Sequence, residues 1–314
     1  MSLSGLAQRP SQRNSRVTGY PTGGSRELYA VSSDVVPLVD ASRRIRRAPL
    51  LERQQWLWSV LRPPYRRVLA VLSQARGVDR VVNDQVFRWR YPHSEFDGSF
   101  EEPILRVFQE RITPGSTVLD VGANFGLYSV VGGRCVGEHG RVFSFEPSRM
   151  ASVLADHLRL NGVAGRVDIL RLVVSDEVGE VEFWEGDDTG LASIARAAAE
   201  RGVDEGHDIT RRICPATTLD AFCSSRKIAP DVIKIDVEGA ELKVLRGAET
   251  FLRERQGSIL LEVHPWALGE FGDTQETMWS WLDSLGWTAT HLYSRGSSTN
   301  PDATLHFLCE PRTV

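Results

Sequence analysis

The 314-residue chain holds only four cysteines (Cys135, Cys214, Cys223 and Cys309), and no two stand in C-x-x-C spacing. That pattern excludes the common zinc-ligand signature and provides no disulfide framework, so a reducing, cytoplasmic setting is expected. No apolar run approaches the roughly 18 residues that a membrane span requires. The first 24 residues are rich in Ser, Arg and Gly and contain no apolar signal core. Lysine is absent from the first 80 residues, where 14 arginines face five acids. That segment has a balance of +9, which leaves −13 for the remainder of a chain whose net charge is −4. A basic appendage on an acidic body is the organisation this implies.

What the chain does have is one informative stretch, Thr117-Val118-Leu119-Asp120-Val121-Gly122-Ala123-Asn124-Phe125-Gly126-Leu127-Tyr128. Its apolar run predicts a buried strand, and the glycines after it predict a sharp turn into a helix. Gly122 and Gly126 let a ligand approach the backbone closely, and the helix start presents a positive dipole end. A second strand, Arg141 to Phe145, ends on Glu146 and Pro147. An acid about 20 residues beyond a glycine turn suits the hydroxyls of a ribose. Dinucleotide sites use G-x-G-x-x-G so that a glycine amide meets the pyrophosphate. Here Asn124 stands where the second glycine would be, and Asp120 offers charge to a cation. S-adenosylmethionine, cationic and without phosphate, therefore fits better than a nicotinamide dinucleotide. Its predicted contacts are Asp120, Gly122, Asn124, Gly126, Tyr128, Glu146, Pro147, Ser175 and Asp236.

Residues 1–28 are expected to be disordered, having too few apolar groups to offset ordering entropy. Residues 29–80 read as a basic helical extension, two short helices between about Leu50 and Gln74 broken at Pro63-Pro64. A cap over the cleft is favoured for this segment over docking on an anionic surface such as a membrane periphery. Residues 81–112 supply a strand or hairpin and a helix (Glu101 to Arg111) over the pocket. From 113 to 314, strands alternate with helices, which predicts a mostly parallel sheet covered on both faces. A third strand is expected over Val167 to Val174, an extra strand over Val178 to Trp184, and a polar, lid-like insertion from Glu185 to Arg212. His157 is read as a packed residue rather than a ligand. Strands near Trp287 to Leu292 and Thr304 to Cys309 form a closing hairpin.

The fourth and fifth core strands, Asp231 to Asp236 and Ser258 to Val263, should be neighbours. Asp236, Glu238, Glu241, Glu262 and His264 then converge beside the methyl donor, where open α/β sheets bind ligands. Methyl transfer to oxygen needs alignment and a base for the hydroxyl proton. His264 is the best candidate by type, with Asp236 and Glu238 as orienting groups or alternative bases. Glu241 reads first as an acid at a helix start, and Lys234 as an ion-pair partner of Glu262. The same acids suit Mg²⁺, a less favoured alternative, and no metal ligand is assigned. Amino-group methylation of bases or glutamines is disfavoured, because no Asn-Pro-Pro-Tyr or Asp-Pro-Pro-Tyr follows the fourth strand. No Pro-Cys dipeptide supplies a nucleophile for cytosine C5, so a nucleic-acid substrate would rest on the basic segment alone.

These residues resemble the FkbM-type methyltransferases. The resemblance is carried by Val118 to Tyr128, Phe145-Glu146-Pro147, Thr217-Thr218-Leu219-Asp220, Ile233 to Glu241, Val244 to Ala248 and Leu261 to Pro265. It covers roughly residues 100–292, with Ser148 where members often carry another proline pattern. It implies a class I, Rossmann-like, seven-stranded fold that moves a methyl group from S-adenosylmethionine, usually to a hydroxyl, leaving S-adenosylhomocysteine. Family acceptors include sugars of glycolipids or polysaccharides and macrolide-type natural products. Residues 1–80 lie outside the match, so acceptor choice is not inherited. The reading from another class is a binding protein that keeps the fold without turnover and docks through its basic helices.

Overall fold

The computed structural model describes residues 76–90, 98–186, 192–196, 208–296 and 303–312, with Pro64, Val71, His93, Glu200 and Val203 singly. The expected disorder over 1–28 and, apart from Pro64 and Val71, the expected paired helices between Leu50 and Gln74 lie outside the described residues. Among the described residues, no helix is long and apolar enough to cross a membrane.

Seven strands form the main sheet: β3 (Thr117–Val121), β4 (Arg141–Phe145), β5 (Val167–Leu170), β10 (Val232–Ile235), β11 (Ser258–Val263), β12 (Trp287–Arg295) and β13 (Thr304–Pro311). Their spatial order is β12-β13-β11-β10-β3-β4-β5. β3, β4, β5, β10 and β11 run parallel, while β13 pairs antiparallel with β11 and β12. The chain moves outward from β3 to β5 and then returns to place β10 beside β3. That reversal opens a crevice beyond the carboxyl ends of β3 and β10. β10 and β11 are buried at every position, as near-continuous apolar runs in a covered parallel sheet should be. Helices cover the sheet, among them α1 (Glu102–Arg111), α2 (Leu127–Cys135), α3 (Met150–Leu160) and α4 (Leu219–Arg226). Thr218 caps the last of these by accepting from the Ala221 amide at 3.0 Å.

A hairpin, β1 (Val78–Val82) and β2 (Gln85–Trp89), precedes this sheet and turns at Asn83 and Asp84 with φ of 47° and 60°. Those two residue types tolerate the left-handed region a tight hairpin demands. Trp89 and Phe87 stack 5.0 Å apart and anchor the hairpin in the core.

Two expectations need correcting. The expected third strand breaks after Leu170, and Val173–Val174 forms β6 in another sheet. The expected polar insertion, Glu185 to Arg212, also ends inside a nine-residue strand, β9 (Ile209–Thr217), which pairs with β7 (Gly179–Gly186). With β8 (Ala192–Ser193) these strands make a four-stranded sheet ordered β6-β9-β7-β8. Thr210, Arg211 and Arg212 occupy the half of β9 that buries nothing, which gives the stretch the polarity of a loop.

Candidate active site

The turn after β3 is held from within. The amides of Gly122 and Ala123 both donate to the Phe145 carbonyl at 3.0 Å, and the Gly126 amide donates to the Ala123 carbonyl. The Asn124 amide donates to Glu146 Oε2 at 2.7 Å. With these four amides engaged, the turn does not form the open amide nest that a pyrophosphate requires. Gly122 has φ of +83°, and a Cβ there would lie 1.8 Å from the Asp236 carbonyl oxygen. The glycine thus lets the tip of β10 close on the turn. Gly126 has φ of +99°, and a Cβ there would meet Leu154 at 2.2 Å, so its bareness serves helix packing.

A pocket with about 400 Å³ of space between atoms, open solvent included, lies at this turn. Gly122, Glu146, Pro147 and Asp236 line it, and the second sheet closes it with Phe183, Ala192 and Ser193. Of the other predicted contacts, Asp120, Asn124, Gly126, Tyr128 and Ser175 are not on its wall. Asp120 is buried beneath the turn, where Ser129 Oγ donates to it at 2.5 Å, and burial pushes its carboxyl up to about 6. The Tyr128 hydroxyl donates to Glu101 Oε2 at 2.8 Å. Ser175 Oγ donates to Asp176 at 2.9 Å. Asn124 adopts φ of 51°, and its buried Oδ1 has no hydrogen-bond partner.

Glu146 is 4% exposed and also accepts from the Ser148 amide at 2.8 Å. Burial raises its pKa, against the lowering effect of these hydrogen bonds. Two backbone donors fix the carboxylate while leaving lone pairs for further donors. A ribose diol fits this arrangement, while the unpartnered Asn124 Oδ1 is buried off the cavity wall. The residues present therefore fit S-adenosylmethionine.

Beyond Asp236 lies an ionised cluster. His264 is 3% exposed; its Nδ1 lies 2.7 Å from Glu241 Oε1 and its Nε2 lies 3.3 Å from Glu238 Oε2. Glu262 Oε1 and Asp236 Oδ1 are 3.8 and 4.0 Å from the same Nε2. Burial alone would lower the His264 pKa, but Glu238, Glu241 and Asp236 together hold it up at about 10. The Lys234 ammonium, 1% exposed, sits 3.2 Å from Glu262 and 3.7 Å from Asp236. It also lies 5.0 Å from the Tyr128 ring centre. Burial and the neighbouring Asp236 raise the Glu262 pKa to about 8. Asp236 is lowered: burial pushes it up, and Lys234 and His264 outweigh that. The expected Lys234–Glu262 pair is therefore present, beside the cleft.

Sequence reasoning underrated Glu241. It is fully buried, and its Oε1 accepts from the Gly239 amide at 2.9 Å while contacting His264. Its partner lies 23 residues further on, a separation that local spacing does not reveal. Ser193 was not singled out either. Its hydroxyl reaches the Val237 and Glu238 carbonyls at 3.0 and 2.9 Å, steadying a turn in which Glu238 has φ of 52°.

Ligand atoms of Asp236, Glu262 and His264 lie within 4.8 Å of one another, as do those of Glu101, Glu262 and His306. The Lys234 ammonium already stands among these carboxylates, and Arg295 pairs with Glu101. A divalent ion would have to compete with both cations, so the cluster fits Mg²⁺ poorly.

The switch-point cavity, the carboxylate one strand over and the antiparallel closing hairpin define a class I, Rossmann-like methyltransferase architecture. More particularly, the chain belongs to the FkbM methyltransferase family, whose domain matches residues 120–287. It is 33% identical over 189 residues to 31-O-demethyl-FK506 methyltransferase FkbM of Streptomyces tacrolimicus, a match covering 51% of this chain and 70% of that protein. It is 27% identical over 167 residues to hexuronic acid methyltransferase AglP of Haloferax volcanii, covering 52% of this chain and 62% of AglP. The chain thus spans less than two thirds of AglP. A solved methyltransferase FkbM from Methylobacillus flagellatus is 18% identical with a TM-score of 0.38, covering 65% of this chain and 50% of that one.

Proposed function

We propose that the protein is an S-adenosylmethionine-dependent O-methyltransferase acting on a hydroxyl of a sugar, in a glycolipid, polysaccharide or glycosylated natural product, or of a polyketide-type metabolite. The observation that carries the reading is the cavity at the β3–β10 crevice, with Glu146 on one side and Asp236 on the other. Glu146 would hold the ribose, and Gly122 would give the backbone close approach. The bound cofactor would supply an electrophilic methyl group. The chain's part is to seat an acceptor hydroxyl beside Asp236, exclude water and receive the proton, with Asp236, Glu238 and His264 as the groups in reach. Acceptors of this class agree with the relatives, one named for a hexuronic acid and one for 31-O-demethyl-FK506.

Methyl-labelled donor offered with fractionated glycans and secondary metabolites tests the reading. Transfer of label to a hydroxyl, lost at least about 100-fold in Asp236→Asn, is expected for removal of an acid–base group. Label recovered on nitrogen, or full activity in the variant, contradicts it.

A further inference from the structure

The two ring nitrogens of His264 decide which group receives the proton. A general base must present a lone pair to the hydroxyl it deprotonates. Nδ1 faces Glu241 at 2.7 Å, and Nε2 faces Glu238 at 3.3 Å, with Glu262 and Asp236 behind at 3.8 and 4.0 Å. An ionised carboxylate only accepts, so Nδ1 is placed as a donor to Glu241, and Nε2 stands within ion-pair reach of Glu238 as a second donor. A doubly donating imidazole is an imidazolium, with no lone pair left to accept a proton. Glu241, fully buried and off the cavity wall, shares Oε1 between His264 and the Gly239 amide and so fixes the ring.

Asp236 differs from its neighbours in access. Its side chain is 32% exposed and lines the cofactor cavity; Glu238 is nearly as exposed, at 29%, but lies off the cavity wall, and the Glu262 side chain is 4% exposed. Lys234 lies 3.7 Å from Asp236 and His264 4.0 Å, so two cations flank the one carboxylate of this cluster that meets the cavity.

Resting on the proposed O-methyl transfer, we propose that His264 remains an imidazolium throughout the cycle, positioned by Glu241, and that Asp236 takes the acceptor's proton. As the oxygen–carbon bond forms and the carbon–sulfur bond breaks with its electron pair going to sulfur, the hydroxyl proton passes to a carboxylate oxygen of Asp236. Bulk water then removes that proton through the exposed edge of the side chain. The imidazolium and the Lys234 ammonium stabilise the negative charge that develops on the acceptor oxygen. Glu241 acts through His264 and is a positioning residue.

The charged and titratable groups around His264 are Glu238, Glu241, Asp236 and Glu262, with Lys234 beyond them; His306 faces Glu262 from β13. The test is nitrogen-15 NMR of the histidine rings in the full chain saturated with S-adenosylhomocysteine, with His264 assigned by the signal lost in His264→Gln. The His264 signals are expected to stay those of an imidazolium beyond pH 9, in keeping with its elevated pKa. In Glu241→Gln the midpoint should fall by about 1–3 pH units, as for loss of an adjacent opposite charge. Glu238→Gln, altering a residue at the solvent edge, supplies a second downward shift if the first variant does not fold. Titration of wild-type His264 near its ordinary 6.5, or no shift in either variant, overturns the proposal. Failure of S-adenosylhomocysteine to bind at all would instead overturn the cofactor reading.

Discussion

Gly122 shows how one residue couples the cofactor turn to the acidic cluster. Its φ of +83° and the 1.8 Å approach of a would-be Cβ to the Asp236 carbonyl leave no room for a side chain. Gly122→Ala should cost about 2–4 kcal/mol, combining left-handed strain with displaced backbone, and lower the melting temperature by roughly 5–15 °C. Gly115 makes the control: its φ is +98°, but nothing lies within 4 Å of the added Cβ, so Gly115→Ala carries strain alone. Equal losses in the two variants, read by calorimetry, would refute the close-approach argument. Glu238 and Asn124 occupy the same left-handed region without being glycine, at φ of 52° and 51°. Both flank the cavity region, where strain of this kind is commonly held in place by surrounding bonds. Ser193 and Glu241 supply such bonds to the turn around Glu238.

At the scale of elements, the β1–β2 hairpin is tied to the cofactor turn through His157 on α3. The Arg90 amide donates to His157 Nε2 at 3.0 Å, so that nitrogen accepts, and Nδ1–H donates to the Phe125 carbonyl at 2.7 Å. This requires the neutral ring, and burial pushes the His157 pKa down to about 3. The folded chain therefore refuses a proton that the unfolded chain takes near pH 6.5. The stability this group contributes is complete above that pH and is lost progressively as pH falls toward 3. His306, also lowered to about 3 by burial, has the same sign. In urea unfolding between pH 7 and 5.5, each ring should contribute a fall in unfolding free energy with acidity, a slope of at most about 1.4 kcal/mol per pH unit, set against the opposite sign of Asp120, Glu262 and His264. In His157→Gln the slope should shrink, with a remainder from His306. An unchanged slope would mean that the ring is already charged in the folded state.

Across the whole molecule, the sheet was legible wherever burial is two-sided. Val118 to Val121 and Val232 to Ile235 read as strands because each is apolar but for one charged residue, Asp120 and Lys234, and the structure pairs them side by side. The convergence of Asp236, Glu238, Glu241, Glu262 and His264 followed from placing two strand tips next to each other, and the structure brings these side chains within contact distance. The four-stranded second sheet was not legible. β9 buries only Cys214 and Ala216 while presenting arginines outward, and β6 is two residues long, so neither shows a period to detect. Glu241's role was underrated for another reason: an acid at a helix start has a sufficient local explanation, and its direct contact with the His264 ring emerges only from the fold. The central claim is that the β3–β10 crevice holds a sulfonium nucleoside whose ribose rests on Glu146. Isothermal titration of wild type and Glu146→Ala with S-adenosylhomocysteine, alongside the nicotinamide dinucleotides, tests it most directly. The account predicts binding of the first ligand only, weakened at least about tenfold in the variant, a loss of about 1.4 kcal/mol or more. Equal affinity in both proteins, or preference for a dinucleotide, would contradict it.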